Sequence, residues 1–224
     1  MSRSVVLRDT PRCLRCQLAP RWCVCAAWRE VVSPLRVEVL MHFMEAYRPS
    51  STGHLIKRVM PSSGLHLYRK ERLLEREVVA APDRELWILH PQGEPMPAHC
   101  DAAHLQVLLL DASWTQATEM AHRVAKWGRR VRLPMQGQSR YWLRAQADAQ
   151  RFSTVESLLF LMKALGLHEA HAALHAQFEL HVWAALCSRG HKARANEFLL
   201  NSPVPATYPE LLAHLAPRVR EWRA

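Results

Sequence analysis

The chain has 224 residues, 49% of them apolar, with 30 Lys and Arg against 20 Asp and Glu and a formal net charge of +10 with histidine neutral. That length sustains one substantial core with at most a small appendage. The charge favours a polyanionic partner, and since no stretch approaches the ~20 apolar residues of a membrane span, nucleic acid is favoured over a membrane.

The first residues, Met1 to Arg12, lack the apolar core of a secretory signal, so a cytoplasmic protein is expected. In a reducing compartment six cysteines are not a disulfide framework, and four of them crowd together as Cys13-x2-Cys16-x6-Cys23-x-Cys25. So short a segment cannot bury enough apolar surface to fold alone. Four thiolates suit a tetrahedral structural zinc, and residues 1–30 therefore read as a zinc-stapled unit ahead of a domain over 31–224. Cys100 and Cys187 read as small buried hydrophobes.

From Leu35 on, short apolar runs alternate with helix-like segments, which predicts an α/β domain with a mostly parallel sheet and helices on both faces. The expected strands are 37–43, 86–89, 107–110 and 131–133. Helices are expected over 52–59, 114–127, 154–165, 170–188 and 209–222, and the stretch from Pro91 to Pro97 reads as a loop. No Gly-x-Gly-x-x-Gly turn follows a strand, so the glycine-rich dinucleotide arrangement is absent.

Asp111-Ala112-Ser113-Trp114 follows directly on the apolar run Val107 to Leu110, placing a carboxylate, a hydroxyl and an indole at a strand end, where chemistry gathers in open α/β sheets. An acid there has little structural reason to exist. Ser113 with Gln116 fits a helix capping box as well as a ligand contact, and an indole in the first turn of an amphipathic helix is more often core than ligand shelf. Upstream, the segment from His42 to Gly53 leads from a strand end into a helix, a junction whose free amides suit an anion. Arg48 in that segment either grips phosphate or pairs with Glu45, and Ser51 and Thr52 either bind ligand or cap the helix. Downstream, Arg140, Tyr141, Trp142 and Arg144 mix guanidinium and aromatic groups, as RNA contacts do. Ser153 with Glu156 is a second capping box. His171 and His175 share a helix face, but without an intervening glutamate they read as a solvated face rather than a metal site.

Taken together, the four-cysteine segment, His42-x-x-Glu45-x-x-Arg48-Pro49-Ser50-Ser51-Thr52-Gly53, Asp111-x-Ser113-Trp114 and Ser153-Thr154-Val155-Glu156 resemble the DTW-domain family, in this order and over nearly the whole chain. Ser113 stands where the family usually has threonine, which keeps the hydroxyl and loses a methyl. The resemblance implies a tRNA-uridine aminocarboxypropyltransferase, moving the 3-amino-3-carboxypropyl group of S-adenosylmethionine to N3 of a tRNA uridine, expected at position 47 of the variable loop. It also implies a SPOUT-like sheet with a knotted C-terminal part. In such an enzyme Asp111 is the candidate base or, alternatively, the ligand of the cofactor's ammonium, and Thr52, Leu110, Ser113, Trp114, Leu133, Ser153, Thr154 and Glu156 are the candidate cofactor contacts. Arg48, Lys57, Arg130, Arg140 and Arg144 are the candidate RNA contacts, and the zinc unit either helps hold tRNA or is purely structural. The expected partner is tRNA, not DNA or membrane, and the oligomeric state stays open between a dimer, as knotted relatives often form, and a slightly favoured monomer. The alternatives are an RNA methyltransferase using the same cofactor and a non-catalytic, zinc-stapled RNA-binding module.

Overall fold

A computed structural model describes residues 11–72, 74–144 and 151–215. The chain divides into two compact units, one formed by the segment up to Trp28 with the chain from Glu179 on, the other by Arg29–Phe178. No helix among the described residues is long and apolar enough to cross a membrane.

The larger unit is built on five strands, β1 (Arg36–His42), β2 (Gly64–Tyr68), β3 (Glu85–Pro95), β4 (Leu105–Asp111) and β5 (Arg129–Arg132), in the order β2-β1-β4-β3-β5. Every pairing is parallel. Its helices are α1 (Thr52–Val59), α2 (Arg76–Val79), α3 (Trp114–Arg123) and α4 (Thr154–Ala164), followed by the start of α5 (His168–Ser188).

Alternation along the central strands sorts these helices onto two faces. Leu40, Leu86, Ile88 and Leu108 pack with Tyr68, Val79, Met120 and Val124, so α2 and α3 cover one face. The opposite face carries Val107, Leu109 and Asp111, and there Ser51 ahead of α1 and Thr154 of α4 both reach Asp111. Leu55, Ile56, Val155, Leu158 and Met162 are completely buried beneath those helices. Because both faces are covered, β4 reads as a continuous apolar run, as buried parallel strands do.

Three departures from the expected elements have physical causes. β2 was not anticipated, since as an edge strand it is only partly buried and its apolar pattern is broken by His66. The expected loop after Leu89 is strand, with a shift of register between Leu89 and Glu94 that lets β3 rejoin β5 at Glu94 and Pro95. Gly93 sits in this irregularity, where a Cβ would lie 2.6 Å from the Val131 backbone nitrogen, so only glycine lets the two chains approach. Lastly, α3 ends at Arg123 rather than running to Trp127; Trp127 N donates to the Val124 carbonyl in a tighter turn, and the indole is partly buried against the core.

The smaller unit holds the four cysteines, the part of α5 from Glu179 on, and α6 (Lys192–Leu199), α7 (Val204–Thr207) and α8 (Pro209–Leu215). Trp22 meets Trp183 edge to face at 5.9 Å, and Ala19 N donates to Ser188 Oγ at 3.2 Å. α6 and α7 were not expected. Residues 216–222 of the last expected helix lie outside the described residues, as do 1–10 of the expected zinc unit.

Candidate functional site

β1 and β4 are neighbours whose outgoing connections diverge, β1 leading to β2 on one side and β4 through α3 to β5 on the other. The carboxyl ends of two such strands form the topological switch point at which open α/β sheets bind ligands. A cleft of about 820 Å³ opens there. It is lined by residues from the end of β4, the amino ends of α1, α3 and α4, and the segments around Leu133 and Tyr141. Its size suits a small organic ligand.

Asp111, only 5% exposed, lies at the centre. Ser51 Oγ donates to its Oδ2 at 2.6 Å and Thr154 Oγ1 to its Oδ1 at 2.6 Å. One carboxylate thus joins β4 to the starts of α1 and α4. Burial raises its pKa above the ordinary value, Glu45 adds to the rise, and the two hydroxyl hydrogen bonds and Arg144 oppose it. Since each carboxylate oxygen has two lone pairs, both keep acceptor capacity.

Gly53 is fixed by this centre, for a Cβ there would stand 2.6 Å from Asp111 Oδ2 and 3.0 Å from Met41 Cε. Gly53→Ala is expected to lower stability by about 1–3 kcal/mol through overpacking. A denaturant midpoint equal to the parent's would contradict that contact.

Glu45 is fully buried and carries two guanidiniums, Arg48 Nη1 at 2.6 Å from Oε1 and Arg144 Nη2 at 2.6 Å from Oε2. Arg144 also donates to Ser50 Oγ, at 3.3 Å from Nη2, and the Tyr141 hydroxyl donates to the Ser50 carbonyl. Glu156, likewise buried, accepts from Ser153 N at 2.7 Å, Ser139 Oγ at 2.9 Å and Arg140 N at 2.7 Å. The capping box of α4 therefore also clamps the 139–140 segment beside the cleft.

The cleft brings together Thr52, Leu110, Asp111, Ser113, Trp114, Leu133, Arg144, Ser153 and Thr154 of the residues named from sequence. Thr52 Oγ1 accepts from Val155 N at 3.4 Å, and Gln116 Oε1 accepts from Ser113 N at 3.1 Å. Trp114 is 40% exposed with the Arg151 guanidinium 5.4 Å from its ring centre, so the indole is not the core side chain its helical position suggests. Glu156, Arg48, Lys57, Arg130 and Arg140 do not line the cleft. Lys57 Nζ is spent on the carbonyls of Pro61 and Ser63 at 2.9 and 2.6 Å, ahead of β2. Arg130 lies in β5, where its charge, after burial, helps lower the pKa of His90. Arg140 stacks over Trp142 at 5.5 Å. Sequence reasoning missed Arg151 and Phe152 as cleft residues, named Ser50 and Tyr141 only within the 42–53 and 138–144 segments, and paired Glu45 with Arg48 alone. Tyr141 meets Ser50, and Arg144 meets Glu45, far along the chain, and periodicity carries no signal for that.

In the smaller unit the Sγ atoms of Cys13, Cys16, Cys23 and Cys25 all lie within 4.8 Å of one another, the only cluster of three or more His, Cys, Asp or Glu ligands among the described residues. Cys13 and Cys25 sulfurs are 3.7 Å apart and those of Cys16 and Cys23 3.8 Å. Four sulfurs about a zinc at ~2.3 Å would be separated by about 3.8 Å, so the cluster fits a tetrahedral ion. Backbone hydrogen bonding, chiefly at Cys16, lowers the Cys13 thiol to about 6, whereas burial raises Cys16 and Cys25.

A family model described as DTW domain matches residues 10–185. No solved structure matches the chain.

Proposed function

The chain belongs to the DTW-domain family, and from that premise we propose that it is a tRNA-uridine aminocarboxypropyltransferase that takes the 3-amino-3-carboxypropyl group from S-adenosylmethionine and places it on N3 of a variable-loop uridine. Family membership is consistent with a tRNA-modifying enzyme; the specific reaction rests on the cleft. The observation that carries it is a buried carboxylate, Asp111, held by two hydroxyls at the floor of a cleft at the sheet's switch point.

The sulfonium of S-adenosylmethionine is bonded to three carbons, and the carbon presented to the nucleophile decides which group is transferred, the remaining thioether being the leaving group. Selectivity is therefore orientation. In this reading Leu110, Leu133, Phe152 and Trp114 supply apolar walls for the nucleoside, and the amino ends of α3 and α4 supply amides and hydroxyls for its polar edge. Asp111 accepts the uridine N3 proton, its basicity raised by burial, as N3 bonds to the γ-carbon of the amino-acid group, the bond from that carbon to sulfur breaks and 5′-methylthioadenosine leaves. Ser51 and Thr154 fix the carboxylate's direction, and Glu156 holds the 139–140 wall in place. Arg48, Arg130 and Arg140 contribute to tRNA affinity outside the cleft. A structural zinc held by Cys13, Cys16, Cys23 and Cys25 would staple the smaller unit and supply no chemistry. The same reading includes a SPOUT-like sheet with a threaded C-terminal part, and the all-parallel five-stranded sheet supports its SPOUT-like half.

The test is to incubate the protein with bulk tRNA and S-adenosylmethionine labelled either in the methyl or in the carboxyl group. Carboxyl label in the RNA is expected. Label arriving only from the methyl group would make the protein a methyltransferase instead.

A further inference from the structure

Arg144 projects into the cleft from beside Asp111, although the sequence groups it with surface arginines that contact RNA. Its setting is not that of a surface phosphate contact. Glu45, wholly buried, pairs with Arg144 and Arg48 together, so one carboxylate faces two guanidiniums and one positive charge is left over. Ser50 and Ser51, adjacent in the chain, then hold opposite charges: Ser50 Oγ accepts from Arg144 at 3.3 Å, while Ser51 Oγ donates to Asp111 at 2.6 Å. A guanidinium and a carboxylate are thus set one residue apart on the cleft floor. With its side chain 33% exposed, Arg144 is reachable from the cleft, and among the described residues its hydrogen bonds to Glu45 and Ser50 use four of its five N–H donors and leave one on Nη1.

A polyanion would meet Asp111 as well as Arg144 and be repelled by one as it is drawn by the other. The ligand end that matches neighbouring positive and negative groups is a zwitterion, a free α-amino acid, whose ammonium faces one Asp111 oxygen while the other keeps a lone pair for the uridine N3 proton. Arg144 is also half-buried, where a charge-assisted hydrogen bond is stronger than at the surface, and its fork suits a carboxylate.

We infer that Arg144 is the binding residue for the α-carboxylate of the S-adenosylmethionine amino-acid group and that Glu45 is the positioning residue that aims it. This rests on the proposed reaction and deepens it. Holding the amino-acid end beside Asp111 is what presents the aminocarboxypropyl carbon, rather than the methyl, to the nucleophile. Arg48, on the more exposed arm of Glu45, offsets the Glu45 charge and leaves that of Arg144 for the ligand.

The closing experiment compares two probes on the full-length, metal-loaded protein by calorimetry. S-adenosylhomocysteine carries the amino-acid end; 5′-methylthioadenosine lacks it. Arg144→Met should weaken S-adenosylhomocysteine binding by about 10- to 100-fold, the range of one hydrogen bond to a charged group, and leave methylthioadenosine binding unchanged. Because Arg144→Met leaves Glu45 buried with one partner fewer, the double variant Glu45→Gln/Arg144→Met is measured beside it and should show the same selective loss. Equal weakening of both probes, or of neither, overturns the inference. So does an unchanged preference for S-adenosylhomocysteine accompanied by weaker tRNA binding with a shallower salt dependence, which would make Arg144 a phosphate contact. Failure of the parent protein to bind either probe would instead overturn the proposed reaction.

Discussion

Asp111→Asn is expected to cut turnover by roughly 10²- to 10⁴-fold, the usual contribution of a positioned base, with tRNA affinity unchanged. The same substitution should not destabilise the protein, which separates a reactive role from a structural one. Asparagine is the same size, its carbonyl still accepts from one of Ser51 and Thr154, and its amide donates to the other hydroxyl oxygen. Burial raises the Asp111 pKa above its ordinary 3.8, so the carboxylate's ionisation costs stability in the folded state. For such a raised acid the parent's stability is greatest below the unfolded-state value and falls as pH rises through the folded one. Asp111→Asn does not titrate. Its unfolding midpoint should therefore equal the parent's in acid and meet or exceed it at neutral pH, the familiar exchange of stability for function. Stability measurements from pH 3 to 8 check this. A variant that turns over like the parent would remove Asp111 from the chemistry, and one that is less stable at every pH would make it a structural clamp.

The second large effect concerns the cysteine cluster. One zinc per chain is expected, with Cys16→Ser abolishing tight binding because Cys16 is the fully buried member of the four. Zinc-finger peptides gain an apparent ~10–16 kcal/mol from such an ion, more than a segment this short recovers by packing. Metal removal by a strong chelator should accordingly expose the peptide bonds around 13–28 to protease, while binding of S-adenosylhomocysteine by the larger unit persists. Metal analysis and limited proteolysis read both outcomes. Four thiols that react freely in protein as purified, with no bound metal, would contradict the assignment.

Local signals made much of this legible in the sequence. Val107 to Leu110 followed by an acid gave the end of β4, since a strand buried on both faces must be apolar throughout and a carboxylate ends it. Ser153 with Glu156 gave the start of α4 to the residue. Four cysteines in one short segment gave the metal-ligand cluster. Elements that depend on distant partners were not legible. β2 is an edge strand whose pairing with β1 has no apolar alternation to announce it, and β3 continues through Pro91 because β5 is there to pair with. The centre of the site is of the same kind. Asp111 meets Ser51 across 60 positions and Thr154 across 43, and Arg144 meets Glu45 across 99. Each residue was noticed for its own chemistry, but only the fold shows that one carboxylate joins three chain segments. Trp114 carried two readings, a cofactor contact and a packing residue of an amphipathic helix, and its indole is 40% exposed at the cleft.

The most direct measurement of the central claim is mass analysis of the nucleosides released from tRNA after incubation with the protein and S-adenosylmethionine. A uridine heavier by one 3-amino-3-carboxypropyl group, absent with the Asp111→Asn protein, is the predicted result; a uridine heavier by one methyl group, or tRNA with no new nucleoside, would contradict it.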